Sequence, residues 1–315
     1  MRYLIINADG YGFTRGTTRA IEECVEFGTV RSLSANVNFA SAEALPILVK
    51  SFPDLSVGCH INPVVGPPVL PAHQIPSLLN EDGEFWYKDF PRRFLTGHIR
   101  RAELRAEMTA QVQRTRDLAG NCFSHVDFHM GFHRLPRLYE DFLNVAKRME
   151  ARRIRTHRYI VGMESRYPRF RNAVHLTQRP TRIAKLLWNN WLRLRAQRAG
   201  FSMPNRRVEI THIVTHPTRI NVANYLRMLQ NLPQGFNEFV AHPGYIDGEL
   251  QRWSTYLHPR AQELRVLLSS EFRDALLESD IQLAGYRDIP LRTPTRQSLT
   301  LDWKRHLRPH NCRDS

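Results

Sequence analysis

Asp9, His60, the His125/Asp127/His129 ladder and His242 are the residues of this chain whose types could do hydrolytic chemistry together. Each stands at the end of a short apolar run: YLIIN before Asp9, LSVGC before His60, the start of SHVDFH at His125 and FNEFVA before His242. In a parallel α/β architecture the carboxyl ends of strands converge on one face, and active sites are built there. Carboxylates and imidazoles gathered on that face point to metal-assisted hydrolysis. In HVDFH the polar residues alternate, so on a strand all three project from the same side. Two imidazoles and a carboxylate are costly to bury unless they pair or bind a metal. Neutral imidazole is a common ligand for divalent ions, and a carboxylate beside it fixes the ring tautomer. A hydrogen-bonded polar cluster is the competing reading. Taken singly, the others are ambiguous: NADG and HPG are turn sequences, and a lone His60 after a strand can be a satisfied structural residue. Their weight is joint, because all fall at strand ends.

The elements that must position them alternate. TTRAIEECVEF has apolar residues at helical spacing and stops at Gly28; TVRSLSANVNF reads as a strand. SAEALPILVKSF reads as a second amphipathic helix with Ser41 as N-cap, and LSVGCHI as a third strand. This order predicts an α/β fold, (β/α) barrel-like, with parallel strands and outer helices. Residues 62–94, rich in Pro and Gly, form a long loop directly after His60. RRAELRAEMTAQVQRTRDLAG is a solvent-laced helix ended by Gly120, and RLYEDFLNVAKRMEARR is another helix. In a further helix over Thr181 to Arg198, Ile183, Leu186, Leu187, Trp191 and Leu194 share one side.

The 315 residues carry a formal net charge of +15. Lys147 to Arg198 holds 15 Lys/Arg against Glu150 and Glu164, a net +13. The charge therefore sits in one basic helical insertion, about 147–205, within a domain spanning 1–290. A basic tail, 291–315, follows. Trp188 and Trp191 inside the insertion fit a peripheral helix on an anionic membrane surface. A nucleic-acid partner is the rival, but no nucleic-acid motif accompanies the arginines and they lie off the proposed sheet. The four cysteines form no CxxC pair, so neither a zinc ribbon nor a disulfide framework is signalled. With no apolar leader before Tyr3 and no run of 18 apolar residues, the expected location is cytoplasmic, with membrane-peripheral contact left open.

NADGYGFT, VGCHINP, HVDFHMGFHRLP and NEFVAHPGYID together resemble the signature blocks of the YdjC-like carbohydrate deacetylases, a family that includes chitooligosaccharide deacetylases and a deacetylase associated with hopanoid biosynthesis. Weaker echoes are FGTVRSLSANVNFASAEAL, then Tyr256, Arg260, Glu263 and YRDI. The resemblance covers about residues 1–290, with the Arg-rich tract the least family-like part. It implies hydrolysis of an N-acetyl group from an amino sugar, assisted by a divalent ion, magnesium or zinc. By position, His60 and His125 match the metal-binding histidines, Asp9 the general base, and His242 the general acid or transition-state stabiliser. Asp127, His129 and Arg260 are expected to bind substrate or support the ligands. Two departures stand out. Gly10 replaces the Asp expected to bind the metal, and Gly131 replaces a His. Either Asp9 becomes a ligand and another group, such as Asp127, the base, or affinity falls; Gly10→Asp is then expected to tighten metal binding. A non-catalytic sugar-binding relative is the alternative that Gly10 raises. A lipid-linked or membrane-proximal substrate follows from the basic segment.

Overall fold

In a computed structural model of the chain, the described residues are 1–168, 170, 173–174, 180–210 and 217–292. Eight parallel strands are found among them: β1 (Arg2–Tyr11), β2 (Ser32–Ala35), β3 (Ser56–Ile61), β4 (Phe123–Phe128), β5 (Tyr159–Val161), β6 (Arg206–Glu209), β7 (Gly235–Ala241) and β8 (Ile281–Leu283). Their order is β4-β3-β2-β1-β7-β6-β5. β8 pairs with β1 at Arg2–Leu4, and β2 pairs with its later half. Extended residues ahead of β5 carry the sheet round to β4. Val126 N–H donates to the Arg153 carbonyl at 3.1 Å, and Ile154 N–H to that of Ser202 at 3.0 Å. The result is the expected (β/α) barrel-like arrangement, whose strands all end on one face.

Helices α1 (Arg15–Glu26), α2 (Leu45–Ser51), α3 (Phe90–Leu95), α4 (Arg101–Ala119), α5 (Leu138–Arg148), α6 (Pro180–Arg198), α7 (Val222–Gln230), α8 (Gly248–Trp253), α9 (His258–Leu267) and α10 (Ser270–Glu278) surround the sheet. Thr14 and Thr17 cap α1 reciprocally, and Ala20, Ile21, Cys24 and Val25 face the sheet, as the helical spacing requires. The helix expected from Ser41 differs. Ala40–Ala44 is a 3-10 turn, no side chain caps α2, and Pro46 stands in its first turn. A proline lacks the N–H that an interior position must donate, so the α-helix begins there. α4 is less solvent-laced than its sequence suggests, because Glu107, Gln111 and Thr115 are buried. Glu107 accepts from the Val69 and Leu70 N–H groups at 2.9 and 3.0 Å, and Gln111 accepts from Asn62 N–H at 2.7 Å. Those bonds pin the long loop that follows His60.

Within the 147–205 stretch read as a helical insertion, Arg153 and Ile154 bridge to Ser202 and Val126 in the barrel wall, and Tyr159–Val161 form β5. Helix α6 packs Leu192 and Ala196 inward and leaves Ile183, Leu186, Leu187 and Trp191 exposed. From residue 293 the basic tail lies outside the described residues.

Candidate active site

Asn7 and Asp9 lie two residues apart on β1 and point the same way into the barrel. Asn7 Nδ2 donates to Asp9 Oδ1 at 2.7 Å. After Asp9 the pairing of β1 with β2 shifts register, and Gly10, at φ +106°, is the bulge residue. Glycine adopts that backbone without steric cost. β3 and β4 set His60 directly opposite Asp127. His60 Nδ1 lies 2.8 Å from Asp127 Oδ1 and 3.9 Å from Asp9 Oδ2. An ionised carboxylate only accepts, so His60 Nδ1 donates to Asp127 and Nε2 is turned away from it.

One guanidinium holds this floor together. Arg155 donates to both oxygens of Asp9 at 2.7 Å, through Nη1 and Nη2. Its Nη2 also reaches Asp127 Oδ2 at 2.6 Å, and its Nε donates to Glu238 Oε1 at 2.7 Å. Burial alone would raise the Asp9 carboxyl; Arg155, His60 and His242 outweigh it and hold the group well below the usual carboxylate range. Asp127 is lowered in the same way, against its burial, chiefly by Arg155 and His60. For Glu238 burial wins over Arg155 and the carboxyl is raised.

Above the floor, β7 delivers His242. Its Nε2 lies 4.0 Å from Asp9 Oδ2 and its Nδ1 3.9 Å from Glu263 Oε2. Glu263, buried on α9, also accepts the His242 backbone N–H, and Tyr256 Oη donates to its other oxygen at 2.9 Å. Burial pushes Glu263 up to about 7 and His242 down to about 3. At neutral pH His242 is therefore an uncharged imidazole. Arg260, one turn before Glu263, donates Nε to the Tyr256 carbonyl at 3.1 Å, while its buried Nη1 has no hydrogen-bond partner. A Cβ on Gly10 would lie 3.5 Å from that Nη1. His129 stands at the rim, its ring 5.2 Å from that of His60 and 5.8 Å from Phe13.

Asp9, His60, His129, Arg155, His242, Tyr256 and Arg260 line one cavity of about 710 Å³. Its far wall holds His133, His157 and Asn189, all buried, each with a ring nitrogen or amide oxygen left unpartnered. Such atoms are costly to desolvate without a ligand or water to meet them. α6 completes the wall with Arg182, Lys185 and Leu186.

The structure thus brings Asp9, His60, His129, His242 and Arg260 around one cavity, with Asp127 buried directly behind His60 and Arg155. It sets His125 apart. His125 pairs with Gly58, two residues deeper along β4 than Asp127. Its ring stacks on Tyr286 with centroids 3.6 Å apart, and its nitrogens meet Ser34 Oγ at 3.2 Å and Ser124 Oγ at 2.8 Å. Burial pushes it down to about 3. Both nitrogens are engaged, so the pairing of His60 with His125 around one ion is not what the geometry offers. Asp9, His60 and Asp127 do offer three ligand atoms within 4.8 Å of one another. Two carboxylates and an imidazole suit a hard or borderline divalent ion, so the donor chemistry fits. Arg155, Glu238 and His157 were not singled out from sequence. Arg155 was hidden as one of 15 basic residues, although its alternation with His157 is a strand signal.

Comparisons with known proteins bear on the family and the fold. A family model described as YdjC-like protein matches residues 3–278. A carbohydrate deacetylase of Geobacillus stearothermophilus is 27% identical over 292 residues, 91% of this chain and 98% of that protein. A chitooligosaccharide deacetylase of Serratia marcescens is 26% identical over 291 residues, covering 91% and 99%. A crystal structure of an Enterococcus faecalis protein named for cellobiose-phosphate cleavage superposes with a TM-score of 0.67 at 25% identity, covering 90% of this chain and 97% of that one.

Proposed function

The chain belongs to the YdjC-like protein family, and on that premise we propose that it is a carbohydrate N-deacetylase, hydrolysing the acetamide of an N-acetylated amino sugar to acetate and free amine. One observation carries the reading: Asp9 Oδ2 and His242 Nε2, from separate strand ends, face each other at 4.0 Å on the cavity floor. A water bonded to both sits where a substrate carbonyl can be reached from above. Asp9, ionised across the working pH range, orients that water and accepts its proton; its low basicity means the proton is passed on rather than kept. Neutral His242 takes the proton and delivers it to the departing nitrogen, so the C–N bond breaks as the amine is protonated. Glu263 and Tyr256 hold His242 in place. Arg260 Nη1, buried and unpartnered, is the donor free to meet the developing oxyanion. Asp9, His60 and Asp127 would hold a divalent ion, magnesium or zinc, whose chemistry when bound is Lewis-acid polarisation of carbonyl and water. His133, His157 and Asn189 supply donors and acceptors for sugar hydroxyls.

The substrate is presented at an anionic membrane surface. α6 supports this: Ile183, Leu187 and Trp191, one turn apart in succession, form an exposed apolar strip, while Arg182, Lys185 and Asn189 of the same helix line the cavity. Among the described residues no helix is long and apolar enough to cross a membrane. The test is a screen of acetylated amino sugars, free and lipid-linked, for acetate release. Release that Asp9→Asn abolishes is expected; binding without release by any member would favour a sugar-binding relative.

A further inference from the structure

We propose that Arg155 is a built-in cation that competes with a divalent ion for the Asp9–Asp127 carboxylate pair, and so sets how weakly this site takes the ion. The four oxygens of that pair are already spoken for. Asp9 Oδ1 accepts from Arg155 and Asn7, Asp9 Oδ2 from Arg155, Asp127 Oδ2 from Arg155 and Ser34, and Asp127 Oδ1 from His60. Three of the four therefore face the same guanidinium, which is buried and charged at any working pH.

Charge counting points the same way. On the pair that would face the ion, two carboxylates against one guanidinium leave a single negative charge; a dication would turn that into a net positive charge beside Arg260. Only Glu238, whose burial raises it, is left to offset that, through Arg155 Nε. Gly10 adds no carboxylate to restore the balance, and its φ of +106° would strain any L side chain placed there. Arg155 is also immobilised by Glu238, whose Oε1 takes its Nε at 2.7 Å, so the guanidinium cannot leave without unpairing a third buried carboxyl. An ion entering between Asp9, His60 and Asp127 must share oxygens with a fixed cation at close range in a poorly screened interior, where like charges repel strongly. The same contacts mean that Asp9 is ionised and oriented with no ion bound.

Ion affinity is separable from catalysis, which makes the two readings independently testable. Chelator-treated full-length protein is titrated calorimetrically with manganese(II) chloride, as wild type, Arg155→Met and Arg155→Lys, with melting temperature followed in parallel. Arg155→Met is expected to bind manganese about tenfold or more tightly than wild type, within the coupling range of charges in one buried network. Its melting temperature should rise with manganese more than that of wild type. Arg155→Lys keeps a charge but loses the fork geometry, and should fall between them. Should the Met variant fail to fold, the Lys variant decides alone. Equal or weaker manganese binding by the variants overturns the proposal and makes Arg155 a residue that positions the ligands for the ion. Acetate release by the wild type, measured separately, bears on the deacetylase reading alone.

Discussion

Glu263→Gln probes the group that holds His242, and its effect on stability can be worked from burial. Glu263 is completely buried, and that burial pushes its carboxyl from 4.5 to about 7 despite the His242 N–H, Tyr256 and Arg260 nearby. A raised folded-state value means the folded protein binds the proton more tightly than the unfolded chain. The contribution is therefore fully present below pH 4.5 and is lost as pH rises towards 7. At 1.36 kcal/mol per pH unit the rise corresponds to about 3 kcal/mol. Glutamine cannot titrate, so the stability of wild type minus that of Glu263→Gln should fall by about 3 kcal/mol between pH 4 and pH 8. Urea unfolding of both proteins across that range, with shared slopes, measures the difference. A difference that stays flat, or grows with pH, would mean the carboxyl is ionised in the fold. Arg260 would then be its salt-bridge partner rather than a free oxyanion donor.

Gly58→Ala should destabilise the fold by about 1–3 kcal/mol, because a Cβ there would lie 2.3 Å from His125 Nε2 and the buried ring, stacked on Tyr286, has nowhere to go. An unchanged urea midpoint would contradict that packing. Wild type should sediment with liposomes containing anionic lipid and not with neutral ones, and Leu187→Glu with Trp191→Glu should abolish it. Equal, negligible sedimentation with both lipid mixtures would reject the membrane-facing role of α6.

The barrel was legible because strand and helix patterns alternate and because the chemistry-bearing residues fall at strand ends. The inward direction of His125, Asp127 and His129 was legible too, since a strand repeats every two residues. Their depth was not legible. Strand residues rise about 3.3 Å each, so His125, two residues before the Asp127 that faces His60, lies about 7 Å deeper along β4 than His60 and does not share an ion with it. His125 instead fills a buried niche made by the missing side chain of Gly58. Gly10 read as a lost ligand; in the fold it is also the bulge that lets β1 change register after Asp9. Arg155 was the hardest to see. Its tract looked like a charged surface, and only the bridge of Arg153 and Ile154 to β4 sets the next residue, Arg155, into the barrel interior. Which residues seat α6 was likewise not legible: Leu192 and Ala196 face the barrel, and its larger apolar residues stay exposed.

The most direct test follows acetate and free amine together from an N-acetylated amino sugar in oxygen-18 water, with wild type and Asp9→Asn. Acetate and amine should appear one for one, each acetate carrying one solvent oxygen, and the Asp9→Asn rate should drop by about 100-fold or more. Wild-type protein that binds the sugar but releases neither product, or an Asp9→Asn variant as fast as wild type, would contradict it.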